Sequence, residues 1–309
     1  MRSKYEHIAA EMRREIEDLL SAVGILFRVF SRGKDDASLN SKLMREPGKY
    51  RVGGKLIQDS IGIRIALYFP DDIPIVKSIL ESNFRIDSSA STIDRPERDQ
   101  FSVTRYNLIF RLPSESTDNF LRIKGDAPLD STFEVQLRSI LSEGWHEVEH
   151  DLRYKAKENW NGHDDLSRVL NGIVATLETS EWNMGKVFEE LAYRHYKSRN
   201  WHGMLPSILR MRLKGEITQP IVDALNSDIQ VAKDLLRIDR ARLLKFLSLA
   251  KPKLPVTPDN VILFWNATGP QHQCLQSLTP VIVYDAAAGL SPSCHDRPVI
   301  EHSEVSCSY

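Results

Sequence analysis

The first half of the chain holds two carboxylates and a group of cations whose types and spacing suit phosphate chemistry. In Phe133-Glu-Val-Gln-Leu-Arg138, apolar and polar residues alternate. A strand sends alternate side chains to opposite faces. Phe133, Val135 and Leu137 then face a core, while Glu134, Gln136 and Arg138 share the other face. A carboxylate and a guanidinium on one face can hold a metal ion and a phosphate. The same alternation is also the ordinary pattern of a half-exposed sheet, and taken alone it fits that better. Asp59 stands just before the apolar run Ile61 to Phe69. Beside Glu134 it would complete a Mg²⁺ site, because magnesium takes one or two carboxylates plus substrate phosphates. By itself it is equally a turn residue at a strand entry.

Arg32, Lys34 and Lys42 cluster around a turn and a short helix, and Lys42 follows Ser38 by one helical turn. Ser38 is read as the cap of that helix, whose N-terminus favours phosphate oxygens. Together these groups would neutralise a triphosphate. In isolation the segment also reads as a solvated basic turn. Further on, Glu143, Glu147, His150 and Tyr154 recur at helical spacing opposite Trp145 and Leu152. That stripe either lines a cleft beside the sheet or forms a charged surface helix.

These residues need elements to hold them. Ile8, Met12, Ile16, Leu19 and Leu20 predict an amphipathic helix ended by Gly24. Strands are expected at Ile25 to Phe30, Ile61 to Phe69, Phe84 to Ile86, Tyr106 to Leu112 and Phe133 to Arg138. Helices are expected at Ser38 to Arg45, after Pro70, and from about Ser139 to Lys157. Residues 87–100 read as a loop. From Asp164 to about Leu249 the apolar spacing is helical throughout. Val261 to Trp265 and Pro280 to Tyr284 read as strands or buried segments, and residues 291–309 as a disordered tail. The expected class is α+β: a mixed sheet flanked by helices, followed by a helical extension. The divisions are 1–160, a helical extension 161–250, a short mixed segment 251–290 and the tail 291–309.

Composition narrows the classes. The chain has 309 residues, 41% hydrophobic and 27% charged, with a formal net charge of -1. That balance argues against a generally basic nucleic-acid binder. The cysteines Cys274, Cys294 and Cys307 form no metal-like pair, which fits a reducing cytoplasm. No signal peptide and no run long enough to span a bilayer is found, so no membrane partner is expected.

Taken together, the segments resemble the synthetase domain of the RelA/SpoT family, the (p)ppGpp synthetases of the stringent response. Ser31-Arg-Gly-Lys-Asp-Asp-Ala-Ser-Leu-Asn-Ser-Lys-Leu43, Asp59-Ser-Ile-Gly-Ile-Arg64 and Glu134-Val-Gln-Leu-Arg-Ser139 each resemble a family motif, and Trp145-His-Glu-Val-Glu-His-Asp-Leu-Arg-Tyr-Lys155 resembles the segment that follows in small members. Their order also matches, over roughly residues 25 to 157. The resemblance implies a nucleotidyltransferase-like fold. It implies transfer of the β,γ-pyrophosphate of ATP to the ribose 3′-hydroxyl of GDP or GTP. On matching positions, Arg32, Lys34, Ser38, Lys42 and Arg64 would bind the donor, and Asp59 and Glu134 would be catalytic and hold Mg²⁺. Gln136, Arg138 and His150 would support them.

One segment departs from the pattern. The family has Gly-Tyr-x-Ser-x-His, whose Tyr stacks on the acceptor base. The counterpart is read as Arg105-Tyr-Asn-Leu-Ile-Phe110, with Tyr106 kept for stacking and Leu108 and Phe110 in place of Ser and His. The pairs His163-Asp164 and His295-Asp296 lack the surrounding ligands of the family's hydrolase domain, so the likeness is to the small, synthetase-only class, in which a homo-oligomer is common. Two alternatives follow. A toxin-like relative acting on the tRNA 3′ end would use the basic, aromatic stretch Tyr193 to Lys214. A nucleotide sensor without activity would explain the altered Tyr106 segment.

Overall fold

The computed structural model describes residues 3–94 and 105–290. The expected tail 291–309, Cys294, Cys307, His295 and part of the expected loop 87–100 lie outside the described residues.

Among the described residues, five strands form one mixed sheet in the order β1-β2-β5-β4-β3. They are β1 (Phe27–Gly33), β2 (Ile61–Leu67), β3 (Thr92–Asp94), β4 (Arg105–Arg111) and β5 (Thr132–Ser139). Only β2 and β5 are parallel; the other neighbours are antiparallel. Around the sheet run α1 (Glu6–Ser21), α2 (Asp36–Arg45), α3 (Ile73–Asn83), α4 (Ser114–Lys124) and α5 (Ile140–Glu149). The alternation expected for β5 is realised: Phe133, Val135 and Leu137 are fully buried, together with Ile63 and Ile65 of β2. The apolar stripe of α1, Ile8, Met12, Ile16 and Leu20, joins the same core. Phe84, at the end of α3, packs edge-on against Phe110 and Phe133. The mixed sheet between helices is therefore as expected.

The second half is helical: α6 (Asp164–Lys197), α7 (Trp201–Leu209), α8 (Gln219–Ser227), α9 (Ile229–Leu236), α10 (Arg240–Leu249), α11 (Pro258–Thr268), α12 (Gln273–Gln276) and α13 (Val281–Ala287). Of the two readings for the apolar runs in residues 251–290, strands or buried segments, neither run is a strand, and Val261 to Phe264 are buried. Val261 to Phe264 lie within α11 and Val281 to Tyr284 within α13. A continuous apolar run does not distinguish a strand from a helix buried all round. The deciding signals are local: Thr257 caps α11 by accepting from the Asn260 N–H, and Pro258 occupies its first turn. Phe84 to Ile86 is not a strand either; only Ile86 bridges to Phe110. The helix α4, which no sequence signal had suggested, covers its side of the core with Phe120.

A buried ion pair joins the helical half to the sheet. Asp72, at the corner after β2, is fully buried and accepts from both terminal nitrogens of Arg240, the Nη2 contact being 3.1 Å. The Arg240 Nε–H donates to the Leu209 carbonyl. Arg210 pairs with Asp71 and lies over the Phe69 ring at 4.6 Å. Removing one partner of such a pair strands the other charge away from water. Asp72→Ala is expected to lower the unfolding free energy by about 3–5 kcal/mol, read from the urea midpoint at constant slope. A loss below about 1 kcal/mol, the scale of an exposed pair, would show that the contact does not hold the two halves together.

Candidate active site

Two rows of side chains cross the sheet on its polar face. Register places Arg32 opposite Gly62, Gly62 beside Glu134, and Glu134 opposite Ile109. The next row runs Phe30, Arg64, Gln136 and Asn107. Both rows belong to the face that alternation assigns to Glu134. The first turn past β5 brings α5 over this face. Ser139 caps α5 by accepting from the Ser142 N–H. A single π turn, His150–Tyr154, continues α5. Between sheet and helix lies a cavity of about 260 Å³, with Arg32, Arg64, Glu134 and Gln136 on one side and Glu147 and His150 on the other.

Asp59 reaches the site through backbone pairing. The Ile57 N–H donates to Pro128, the Asp130 N–H to Ile57, and the Thr132 hydroxyl to the Gln58 carbonyl. This extends the parallel alignment of β2 and β5 below Glu134. On the other side, the Lys34 N–H donates to the Ser60 carbonyl at 2.8 Å. Gly33, between Arg32 and Lys34, lies against the start of α1. A Cβ there would stand 2.6 Å from the Tyr5 backbone, so only glycine permits this approach. Lys34 and Lys42 then both bond the Asp59 carboxylate, Lys42 at 2.9 and 3.0 Å.

The two carboxylates are shifted in opposite directions. Burial pushes the Asp59 carboxyl up, but Lys34 and Lys42 outweigh it and hold the group below the usual carboxylate range. Glu134 is pushed up, first by burial and then by the Asp59 charge; Lys34, Arg32 and the Gln136 amide offset this only in part. Burial also lowers the Lys34 ammonium despite Asp59. The two neighbouring carboxyls are thus unequal in their hold on a proton, Glu134 the tighter and Asp59 the weaker.

A chain of hydrogen bonds orients Glu134. The Gln136 amide donates to Glu134 Oε2 at 3.2 Å, and Arg138 Nη2 donates to Gln136 Oε1 at 3.3 Å. Arg138, buried on this face, also donates to Glu143 Oε2 at 3.0 Å. Arg64 Nη1 donates to Glu143 Oε1 at 2.8 Å and pairs with Glu147. Gln136 and Arg138 therefore stand where a supporting role requires. Arg64 lines the cavity with its charge balanced by α5. His150 lines the far wall, bonded to Asp151 at 3.0 Å.

Two expectations meet corrections. Ser38 does not cap α2: Asp35 does, accepting from the Ser38 N–H at 2.6 Å. Ser38 lies in the first turn instead. Asp35 stands three residues before that N–H, the spacing of a helix cap. Tyr106 is not on the site face. It pairs with Leu137 and lies, like Leu108 and Phe110, on the buried side of β4. The strand period of two makes a one-residue difference in phase a difference of face. Asn107 and Ile109 are the β4 residues that face Gln136 and Glu134. The Asn107 amide oxygen is buried without a partner among the described residues. Phe30, Gly62, Asp151 and Lys155 also line the cavity and were not anticipated as site residues. Phe30 was legible in principle, since it shares strand phase with Arg32.

The magnesium expectation meets a fitting donor set. Glu134 and Asp59 supply two carboxylates of the kind magnesium takes, with Lys34 and Lys42 bonded to the Asp59 oxygens in this structure. Among the described residues no group of three or more potential ligands occurs, so substrate oxygens would complete the shell, as magnesium prefers. Within the stretch Tyr193 to Lys214, Tyr193 is exposed with the Lys197 ammonium 5.4 Å from its ring centre, whereas two other members are engaged inside the fold. Trp201 is in the core, donating to Asn226 at 2.9 Å, and Arg210 is held by Asp71.

Residues 31–159 match the family model described as a region found in RelA / SpoT proteins. That segment contains Arg32, Lys34, Lys42, Asp59, Arg64 and Glu134. No curated protein matches the chain. Similar solved structures include the small alarmone synthetase 1 from Bacillus subtilis, at 21% identity over 59% of this chain and 90% of that one, with a TM-score of 0.41. Another is a GTP pyrophosphokinase family protein from Streptococcus pneumoniae, at 18% identity over 59% and 87%, with a TM-score of 0.42. A third is the Bacillus subtilis synthetase 1 bound to its product pppGpp, at 20% identity over 60% and 93%, with a TM-score of 0.41. Among the described residues no helix is long and apolar enough to cross a membrane.

The raised Glu134 carboxyl has a consequence for stability. A carboxyl raised in the folded state opposes folding when ionised, and the penalty disappears below its unfolded pKa. Glu134→Gln is therefore expected to raise the thermal midpoint at pH 7. The gain should shrink as pH falls through the carboxylate range. Equal midpoints at pH 7 would mean that burial and Asp59 do not load this position.

Proposed function

We propose that the chain is a nucleotide pyrophosphokinase that moves the β,γ-pyrophosphate of ATP to the ribose 3′-hydroxyl of GDP or GTP. One observation carries the reading: a raised carboxyl, Glu134, beside a lowered one, Asp59, with Arg32, Lys34 and Lys42 on the same side, inside the RelA/SpoT region. In this transfer the acceptor oxygen bonds to the β-phosphorus. The bond from that phosphorus to the oxygen bridging to the α-phosphate breaks, and AMP leaves with the electron pair. The acceptor proton passes to Glu134, whose raised affinity for a proton suits a general base near neutral pH.

Arg32, Lys34 and Lys42 would face the donor phosphates and offset the charge of the leaving group. Gln136 and Arg138 hold the Glu134 carboxylate in one orientation, and position supplies much of the rate in such transfers. Magnesium, held by Asp59 and Glu134 with substrate phosphates, would add charge neutralisation at the transferred group. A cytoplasmic place in (p)ppGpp metabolism, and self-association, belong to the same proposal. The acceptor rests on the family resemblance, since Tyr106 does not reach the site.

Incubation with labelled ATP, magnesium and GDP, GTP or bulk tRNA tests the reading. Label is expected on the guanosine nucleotide, with AMP released in equal amount, and chelation of magnesium should abolish it reversibly. Glu134→Gln should lower the rate by roughly 10²- to 10⁴-fold. Label on tRNA instead would assign the acceptor to RNA. Nucleotide binding without transfer to any acceptor, or full activity in Glu134→Gln, would overturn the proposed chemistry.

A further inference from the structure

Away from the sheet, a second cavity opens between α9, α10 and α11. It holds about 370 Å³, within the range of small-molecule sites. Its lining residues fall between Asp234 and Pro270, outside the RelA/SpoT region. Its walls are mainly apolar. Phe246 of α10 and Trp265 of α11 are half-buried and both line it.

The charges here are unevenly committed. Asp234 accepts from the Gln230 amide at 2.6 Å with one oxygen and pairs with His272 at 3.2 Å through the other. Asp239 caps α10 by accepting from the Arg242 N–H. Both acidic groups of the lining therefore have partners. The basic groups are less engaged. Arg237, just after α9, is exposed, and its guanidinium meets no acceptor among the described residues. Arg242 lies over the Phe246 ring at 5.1 Å, and only its Nη2 is bonded, to the Thr268 carbonyl at 3.0 Å. Those two contacts hold the guanidinium at the cavity wall, and its other N–H groups are left for a ligand.

A fixed guanidinium beside aromatic walls suits a flat apolar body that carries one carboxylate. A phosphate fits less well. Among the described residues no lysine lines the cavity. The N-terminus of α10, which would favour a phosphate, is already taken by the Asp239 carboxylate. We propose that this cavity is a binding site for a small aromatic carboxylate, with Arg242 and Arg237 on the carboxylate and Trp265 and Phe246 against the ring. The site does not depend on the reaction proposed above.

Calorimetric titration of the full chain with indole-3-acetate, its neutral analogue indole-3-acetamide and indoxyl phosphate tests this. The acid is expected to bind saturably, and the amide and the phosphate at least about tenfold more weakly. Arg242→Gln should weaken the acid by about 10- to 100-fold and leave the amide unchanged. Arg237→Gln, at an exposed position, should also weaken the acid selectively, and it serves where Arg242→Gln fails to fold. Trp265→Leu should weaken acid and amide alike. Arg32→Gln, in the cavity at the sheet, should leave the acid unchanged. Equal affinity for acid and amide would make the cavity merely apolar and overturn the proposal. Tighter binding of indoxyl phosphate would overturn the assignment to a carboxylate. Loss of the acid in Arg32→Gln, with wild-type affinity in Arg237→Gln, would move the ligand to the sheet. An acid that does not bind below about 1 mM would equally overturn the site.

Discussion

Strands β2 and β5 lie side by side and parallel, and the polar face of the site is built on that alignment. Gly62 sits beside Glu134, and Arg64 beside Gln136. Parallel neighbours cannot be joined by a tight turn. Here the connection carries α3, β3, β4 and α4 before the chain returns. The pairing continues past the strands through Ile57 and Leu129 and through the Thr132 hydroxyl on Gln58. That continuation sets Asp59 near Glu134. A shift of one residue in β5 would turn Glu134 into the core and Val135 onto the cavity. The full burial of Phe133, Val135 and Leu137 opposes that shift.

On this frame the charges are arranged unequally. Asp59 is surrounded by cations and stays ionised; Glu134 is buried next to it and resists ionisation. Two groups of like chemistry thereby differ in their affinity for a proton, by environment and not by residue type. The cations come from a different part of the chain, and their approach depends on Gly33 fitting against the start of α1. Glu143 performs the complementary task on the other wall. It bonds both Arg64 and Arg138 and so couples α5 to both central strands.

The helical half is part of this construction. Arg240 and Arg210 fasten it to the corner after β2. Helix α6 runs along α5: the Trp145 indole donates to the Leu170 carbonyl, and Arg153 donates to Asn171 at 2.7 Å. At the start of α5, Glu181 of α6 is buried beside Ser139 and Ser142. The wall that faces Glu134 is thus held from behind by a helix far along the sequence. Phe69 against Phe188 adds an edge-on aromatic contact to the same seam.

The local patterns were enough for much of this. Alternation in Phe133 to Arg138 placed Glu134, Gln136 and Arg138 on one face, and the order of the basic, Asp59 and Glu134 segments pointed to the family. The mixed sheet and the helical second half followed from period and composition. What local pattern does not contain is phase across strands and the partner of each charge. Tyr106 looked like a base-stacking residue because its own strand does not state which face meets Gln136; pairing with Leu137 turned it inward. Ser38 lost the cap to Asp35 by a difference of geometry within one turn. Val261 to Phe264 became a helix because a buried apolar run carries no period, and only Thr257, Pro258 and the surrounding core resolved it. The sequence by itself determined the face that Glu134, Gln136 and Arg138 share and the order of the basic, Asp59 and Glu134 segments. The tertiary structure decided which of them meet, because the β2–β5 register and the burial that shifts Glu134 arise only between segments far apart in the chain.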